Sequence, residues 1–297
     1  TEAVVDRAQG EAADGRVKVL EPVRAGARIR RRGEAVRRGE LLLSAGSRLR
    51  PFDFAALASQ GLAAVRVVRR PRVTVLAAGP ELRRLGGGEL PPGKVWNANG
   101  PAARAALALW GAVSVDGGIL PFDESACREA LASALARSDA VVVTSGPGEG
   151  ARDHAGASLL RLGLEPAAWG LAIEPGSSFF FGLCRGKPVF GLPGHAGAHH
   201  LCLEDFVRPA VERLRGLVPQ PPAYSLAGRL QADVPKDRAR QLYLFCQARE
   251  LADGLRLVPL RPQDGAGAAH ADVLARVPIG PGALRAGDAV ACRRLSP

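Results

Sequence analysis

The residues best suited to chemistry lie in Ala140 to His154, which reads A-V-V-V-T-S-G-P-G-E-G-A-R-D-H. The β-branched run predicts a strand, Gly146, Pro147, Gly148 and Gly150 predict a loop, and the apolar spacing after Asp153 predicts a helix. In an open α/β sheet such a loop sits at the carboxyl end of a strand, where bare backbone N–H groups and a helix N-terminus favour an anion. A tight turn that binds nothing explains the loop equally well. There is no Lys after the last glycine and no G-x-G-x-x-G spacing, so neither standard phosphate loop is present.

Three other stretches fall where strands are expected to end. They are Ala77-Ala78-Gly79-Pro80-Glu81-Leu82, Lys94-Val95-Trp96-Asn97-Ala98-Asn99 and Phe190-Gly191-Leu192-Pro193-Gly194-His195-Ala196. Each alone has an ordinary explanation as a turn, a cap or a solvated carboxylate, but strand ends of one sheet can converge on one site. Glu81, Asp123 and Asp153 are the acids best placed there. Carboxylates facing a phosphate ligand suit Mg²⁺, which needs only one or two protein oxygens and keeps its waters. Helix capping competes as the role of Asp153 and, more strongly, of Asp123. His195 and His199 are four apart at a helix start, a spacing that can bind zinc, yet there is no H-E-x-x-H and no third ligand. Surface or turn positions are expected for these histidines.

The elements that must position these residues follow from Pro71 onward. Val73 to Gly79, Val113 to Val115, Ala140 to Thr144 and Pro188 to Leu192 read as buried strands. Between and after them, Pro101 to Gly111, Ser125 to Ala136, Ala155 to Leu162 and Ala198 to Leu214 read as helices, the last carrying Pro209. This succession predicts an α/β domain over residues 71–216, a central parallel sheet with helices on both faces. Residues 1–70 read as an accessory module of short strands and turns, including Val17 to Leu20, Leu41 to Leu43 and Val65 to Val68, with a helix at Pro51 to Gly61. After the stiff V-P-Q-P-P linker, residues 217–297 carry five short strand patterns, which predicts a small all-β, barrel-like domain.

Composition narrows the function class. Hydrophobic residues make up 47% of the 297, and no apolar run is long enough to span a bilayer, which argues for a folded soluble protein with the cytoplasm as its expected location. The net charge of +11 comes from scattered arginines, with few aromatics to stack bases, so an anionic small molecule is favoured over nucleic acid or membrane. The five cysteines are far apart with no C-x-x-C, so they read as buried apolar residues. The chain holds no Met and starts T-E-A-V, so either an initiator was removed or the chain is part of a longer one.

Taken in order, the landmarks resemble the molybdopterin molybdenumtransferase family, the MoeA and gephyrin E-domain proteins of molybdenum cofactor synthesis. G-A-R-I-R-R-R-G-E within Val23 to Glu34 is similar to that family's arginine-rich segment, and R-R-P-R-V at Arg69 to Val73 to the entry of its central domain. A-A-G-P-E-L resembles T-G-D-E-L, W-N-A-N resembles Y-D-x-N, and T-S-G-P-G-E-G-A-R-D-H resembles S-G-G-V-S-V-G-x-x-D-Y. I-E-P-G-S-S at Ile173 to Ser178 resembles K-P-G-K-P, and F-G-L-P-G-H-A resembles G-L-P-G-N-P.

The resemblance implies a MoaB/MogA-like central fold that binds adenylylated molybdopterin and accepts molybdate with Mg²⁺ present and AMP released. It implies catalytic acids at Asp153, Glu81 and Asp123, with Asp153 and Glu81 holding the metal. It places Thr144, Ser145, Gly146, Gly148, Gly150, Asn99, Pro193, Gly194 and His195 around the cofactor, in a homodimer. Gly170, Glu174 and Ser177 stand where the family carries lysines, and Pro147 stands in a shortened glycine loop. Each lost charge-assisted bond would weaken oxyanion binding by about 1.5–3 kcal/mol. The gephyrin likeness leaves a second reading, a catalytically degenerate scaffold or binding subunit. A nucleotide-processing enzyme like the CinA-type proteins shares the central fold but not the arginine-rich start or the β-module.

Overall fold

The computed structural model describes residues 3–144, 154–252, 254–260, 269–280 and 282–295. The chain divides into two compact units, Thr1–Arg66 and Val67–Pro297. In the first, β1 (Gly10–Ala13) and β2 (Arg16–Val19) form an antiparallel hairpin with Gly10 opposite Val19. Asp14 and Gly15 turn it at φ 53° and 73°, the mirror-image geometry that follows strand twist. In α1 (Pro51–Ser59) proline opens the first turn, Asp53 accepts the Arg50 N–H at 2.7 Å, and Gly61 at φ 74° ends the helix.

Leu41 to Leu43 and Val65 to Val68, expected as strands, do not form them. Neither run pairs with another strand among the described residues, and Leu41 is 76% exposed. A strand is held by its neighbour's ladder, which composition cannot supply.

The second unit runs β3 (Arg72–Ala77), β4 (Leu82–Arg83), β5 (Val95–Trp96), α2 (Asn99–Leu109), β6 (Val113–Ile119), α3 (Glu124–Arg137), β7 (Ala140–Thr144) and α4 (His154–Arg161). It continues through β8 (Leu164–Trp169), β9 (Ile173–Glu174), β10 (Phe180–Cys184), β11 (Lys187–Gly191), α5 (Ala196–Cys202), a π-helical turn at Leu203–Val207 and α6 (Arg208–Leu214). Five strands close it: β12 (Leu226–Leu230), β13 (Gln241–Leu251), β14 (Gly254–Pro259), β15 (Val273–Val277) and β16 (Ala289–Arg294).

The α/β sheet has the order β6-β3-β7-β11-β10-β8. β6, β3, β7 and β11 are parallel, while β10 and β8 extend the sheet antiparallel. The expected parallel sheet is thus its core, and the whole is mixed. The link from β10 to β11 is the tight turn Arg185-Gly186, both at positive φ, too short for the crossover that a parallel pair needs.

Helices cover both faces. Val73, Val75, Val142 and Phe190 pack with Ala103, Leu107 and Val211 on the α2 and α6 side. Leu76, Val141, Val143 and Val189 pack with Leu131 and Leu159 on the α3 and α4 side. Successive residues of β7 therefore enter opposite cores, which is why its sequence is apolar without alternation. Asp123 caps α3, its Oδ1 accepting the Ala126 N–H at 2.8 Å.

The helix expected over Ala198 to Leu214 forms as an unbroken helical run from Ala196 to Leu214, α5 and α6 being joined by a middle turn wound as a π-helix. Pro209 lacks the N–H that an α-helical turn would use, and the π turn lies directly before it in the run. All five strands expected near the C-terminus form. β14 pairs with both β12 and β13, which closes β14-β12-β16-β15-β13 into a small barrel around Leu230, Leu257 and Val273. β9 adds to β13 in parallel, so the α/β layer contributes an edge to the barrel sheet. The five cysteines are free and buried, and burial pushes the Cys246 thiol up to about 12.

Candidate functional site

The parallel strands end along one edge, and backbone hydrogen bonds tie their exit loops together. Ala78 N–H donates to the Thr144 carbonyl at 2.9 Å, Leu192 N–H to the Val143 carbonyl at 2.8 Å, and Leu120 N–H to the Ala77 carbonyl at 2.7 Å. β4 and β5 form a short parallel ladder, flanked by Val95 N–H to the Glu81 carbonyl at 3.0 Å and Asn97 N–H to the Arg83 carbonyl at 2.8 Å. A-G-P-E-L and W-N-A-N therefore lie side by side. Asn99, largely buried, donates from Nδ2 to the Gly194 carbonyl at 2.7 Å, which fixes the start of α2 to the L-P-G turn. The three stretches that sequence placed at strand ends do converge there, with the end of β7 among them.

The side chains chosen from sequence have distinct surroundings. Glu81 is exposed and folds back over Gly79, where an added Cβ would stand 2.4 Å from Oε1 and φ is already +148°. Gly79→Ala is therefore expected to destabilise the fold by about 1–3 kcal/mol and to swing Glu81 off the strand end. Urea unfolding measures the first effect, and a shift below about 0.5 kcal/mol would contradict the backbone strain at φ +148°.

Asp123 commits one carboxylate oxygen to its helix cap. His195 is exposed at the start of α5, and its side chain makes no cap. His199, expected at a surface or turn, is instead 1% exposed on the inner side of α5. The four-residue spacing does not aim the two imidazoles together, because one precedes the helix and the other is turned into the core. Neither His199 nitrogen closes a hydrogen bond among the described residues, although the backbone of Asn99 and of Pro193 lies beside the ring. Burial, reinforced by His200, holds its imidazole down to about 3.

Thr144 ends β7 with a buried hydroxyl that likewise has no partner among the described residues. Ser145, Gly146, Gly148, Gly150 and Asp153 lie outside the described residues. Among the described residues, no three His, Cys, Asp or Glu side chains are grouped as metal ligands. Sequence reasoning passed over Arg84, Arg104 and Asp116, which line a cleft beside α2. The available signal was Arg104, the one charged residue in the helix N-G-P-A-A-R-A-A-L-A-L.

An open α/β sheet that gathers glycine turns at the ends of its parallel strands is a ligand-binding architecture. Its class is given by residues 74–213, which match the family described as the probable molybdopterin binding domain. Residues 1–61 match the MoeA N-terminal region (domain I and II), and the chain belongs to the MoeA family. It is 31% identical over 203 residues to a molybdopterin molybdenumtransferase of Haemophilus influenzae, covering 68% of this chain and 50% of that one. A molybdopterin molybdenumtransferase of Staphylococcus epidermidis is 29% identical over 264 residues, covering 87% of this chain and 62% of that one. The chain thus spans roughly half to three fifths of the length of these curated relatives. A crystal structure of a molybdopterin biosynthesis MoeA protein from Pyrococcus horikoshii superposes with a TM-score of 0.76 at 27% identity, covering 99% of this chain and 72% of that one.

Proposed function

We propose that this chain inserts molybdate into adenylylated molybdopterin, with AMP released, as a step of molybdenum cofactor synthesis. The observation that carries the reading is the convergence of the Gly79-Glu81 loop, the Asn99 helix start and the Pro193-Gly194 turn on one strand edge, inside the stretch that matches the molybdopterin-binding family. The transferase names of the relatives favour an enzyme over a scaffold.

The chemistry requires two anions, a phosphorylated pterin and an oxyanion, to meet in one pocket. Backbone donors and cations offset their repulsion. In this reading Thr144, Ser145, Gly146, Gly148 and Gly150 receive the pterin phosphate, with Asn99, Pro193, Gly194 and His195 around it. Asp153, Glu81 and Asp123 are the working acids. Glu81 fits a Mg²⁺ ion as a hard oxygen donor: it is exposed at the strand end, and its carboxylate makes no hydrogen bond among the described residues. With Asp153 it would hold the metal, whose charge offsets that of the two anions. The remaining ligands would be water and phosphate.

The working unit is a homodimer in the cytoplasm, with an accessory module over 1–70, the molybdopterin domain over 71–216 and the β-domain over 217–297. Calorimetry should show molybdopterin binding at micromolar protein. Adenylylated molybdopterin should then release AMP only when molybdate is added, and Glu81→Gln should slow that release at least about tenfold. Absence of binding would sink the reading, and binding without AMP release would make the chain a binding subunit.

A further inference from the structure

The outer face of the barrel carries a row of like charge that the strand-end site does not use. Arg229 on β12 stands opposite Arg256 on β14, and Arg256 stands opposite Arg249 on β13. Their chain neighbours Leu230, Leu257 and Ala248 pack with the barrel core, so by strand alternation the three guanidiniums stand on the outer face. Arg229 and Arg249 are exposed, and Arg256 is half-buried. Like charges set directly opposite on paired strands cost stability, and an anion laid along the row offsets that cost.

The charge of the row is not balanced from within the fold. The Arg249 side chain makes no hydrogen bond or ion pair among the described residues, and Arg229 Nη1 donates to an uncharged acceptor, the Gly287 carbonyl, at 3.1 Å. Glu250 pairs with Arg294, and Asp233 with Arg285 at 2.8 Å. Asp288, beside Gly287, spends its carboxylate on the Arg285 N–H at 2.8 Å. Asp253, between β13 and β14 in the chain, lies outside the described residues. Even with both Asp253 and Asp288 set against it, a row of three guanidiniums stays positive.

The next outward residues of the same three strands are Gln231, Val258 and Gln247. Gln231 N–H donates to the Leu257 carbonyl at 2.9 Å, which carries the ladder one step past β12, and Gln247 stands opposite Val258. Both glutamines are exposed. Guanidinium forks thus lie beside a row of amides, across about 10 Å of sheet. The apolar part of the barrel's outer face is already covered, since Phe245 and Leu274 pack with Leu201 of α5.

We propose that this face of the barrel binds an acidic segment of a partner protein. Its carboxylates lie in the forks of Arg229 and Arg249, and the glutamine amides meet its backbone N–H and C=O groups. A segment of three or four extended residues covers the row. No aromatic residue stands in either row, so a stacking platform for nucleic-acid bases is lacking. Ordered forks and amides read directional acceptors, which the diffuse charge of a membrane surface does not offer. The face lies outside the 74–213 stretch that matches the molybdopterin-binding family and uses none of the residues assigned to the strand-end site.

The test titrates the full chain at low ionic strength against fluorescein-labelled hexaglutamate, read by anisotropy, with hexaglutamine as the uncharged control. Hexaglutamate should bind saturably and hexaglutamine should not. Arg229→Glu and Arg249→Glu should each weaken hexaglutamate roughly tenfold or more. Arg213→Glu makes the same charge change at an exposed position of α6 and should weaken it less than about twofold.

Equal losses in all three variants would show that binding follows net charge alone and would overturn the proposal. So would tighter binding, through the same two arginines, of an oligouridylate or of phosphatidylserine vesicles, which would give the face to nucleic acid or to a membrane. Arg249→Glu sets opposite charges across the β13–β14 pair, so its urea midpoint should equal or exceed that of the native chain. Should it not fold, Arg249→Gln, which only removes an exposed charge, gives the same reading.

Discussion

Arg293→Ala should lower the unfolding free energy by about 3–5 kcal/mol, among the largest losses that a single substitution in this chain can cause. Arg293 lies on β16 with its side chain 10% exposed, and Nη2 donates to Asp205 Oδ1 at 2.8 Å. Nη1 stands 3.7 Å from Glu204 Oε2, and both carboxylates sit on the π-helical turn. Tyr224 completes the cluster, its hydroxyl donating to Asp205 Oδ2 at 2.8 Å while Arg276 lies over its ring at 4.5 Å.

Removing the guanidinium leaves Asp205 buried without its cation, and Glu204 with only Arg208. The cost comes from the stranded charge more than from the lost attraction. Asp205→Leu in the Arg293→Met background should therefore recover much of the loss, giving a coupling energy of about 1–3 kcal/mol in a double-mutant cycle read by urea unfolding. Additive losses would show that the cluster does not act as a unit.

What could be read from sequence follows how locally each feature is determined. β7 was legible because five buried residues in a row suit a strand covered on both faces, and Asp123 was legible as a cap because an acid before a helix does one common job. The barrel strands were legible from short apolar runs between Gly, Pro and Asp turns. β8 and β10 were not, because Leu164 to Cys184 is broken by Pro166, Gly170, Pro175 and Gly182, and the strands form only through the sheet, β10 against β11 and β8 against β10. The convergence of the strand-end loops could be guessed from topology. The bonds that make it, Asn99 to Gly194 above all, join residues 95 apart and leave no local signature. The burial of His199 was hidden for a similar reason: one position on a helix faces core or solvent according to what packs on it, and the cover comes from α2.

That buried imidazole should write itself into the acid stability of the fold. Burial, with the neighbouring His200 second, holds His199 at about 3 against an ordinary value of 6.5. The unfolded chain takes up a proton near pH 6.5 that the folded chain refuses until about pH 3. Stability contributed by the neutral ring is therefore complete above pH 6.5 and is lost as pH falls through that window, at a slope approaching 1.4 kcal/mol per pH unit from this one group. Summed to its lower end, the loss is about 4–5 kcal/mol.

His200 and the carboxylates also titrate, so the informative quantity is the difference between the native chain and His199→Leu. Leucine has no proton to gain, and neither ring nitrogen closes a hydrogen bond among the described residues, so the variant should stay within about 1 kcal/mol of native stability at pH 7. The two stability curves should then draw apart in acid by one proton's slope. Chemical unfolding followed from pH 8 to pH 4 measures this, and parallel curves would show that His199 can be protonated in place. The backbone of Asn99 and Pro193 beside the ring favours the charge and burial opposes it, so a charged ring draws water into the packing between α2 and the L-P-G turn. Ligand affinity at the strand ends should therefore fall with acid in the native chain before global unfolding, and fall less in His199→Leu.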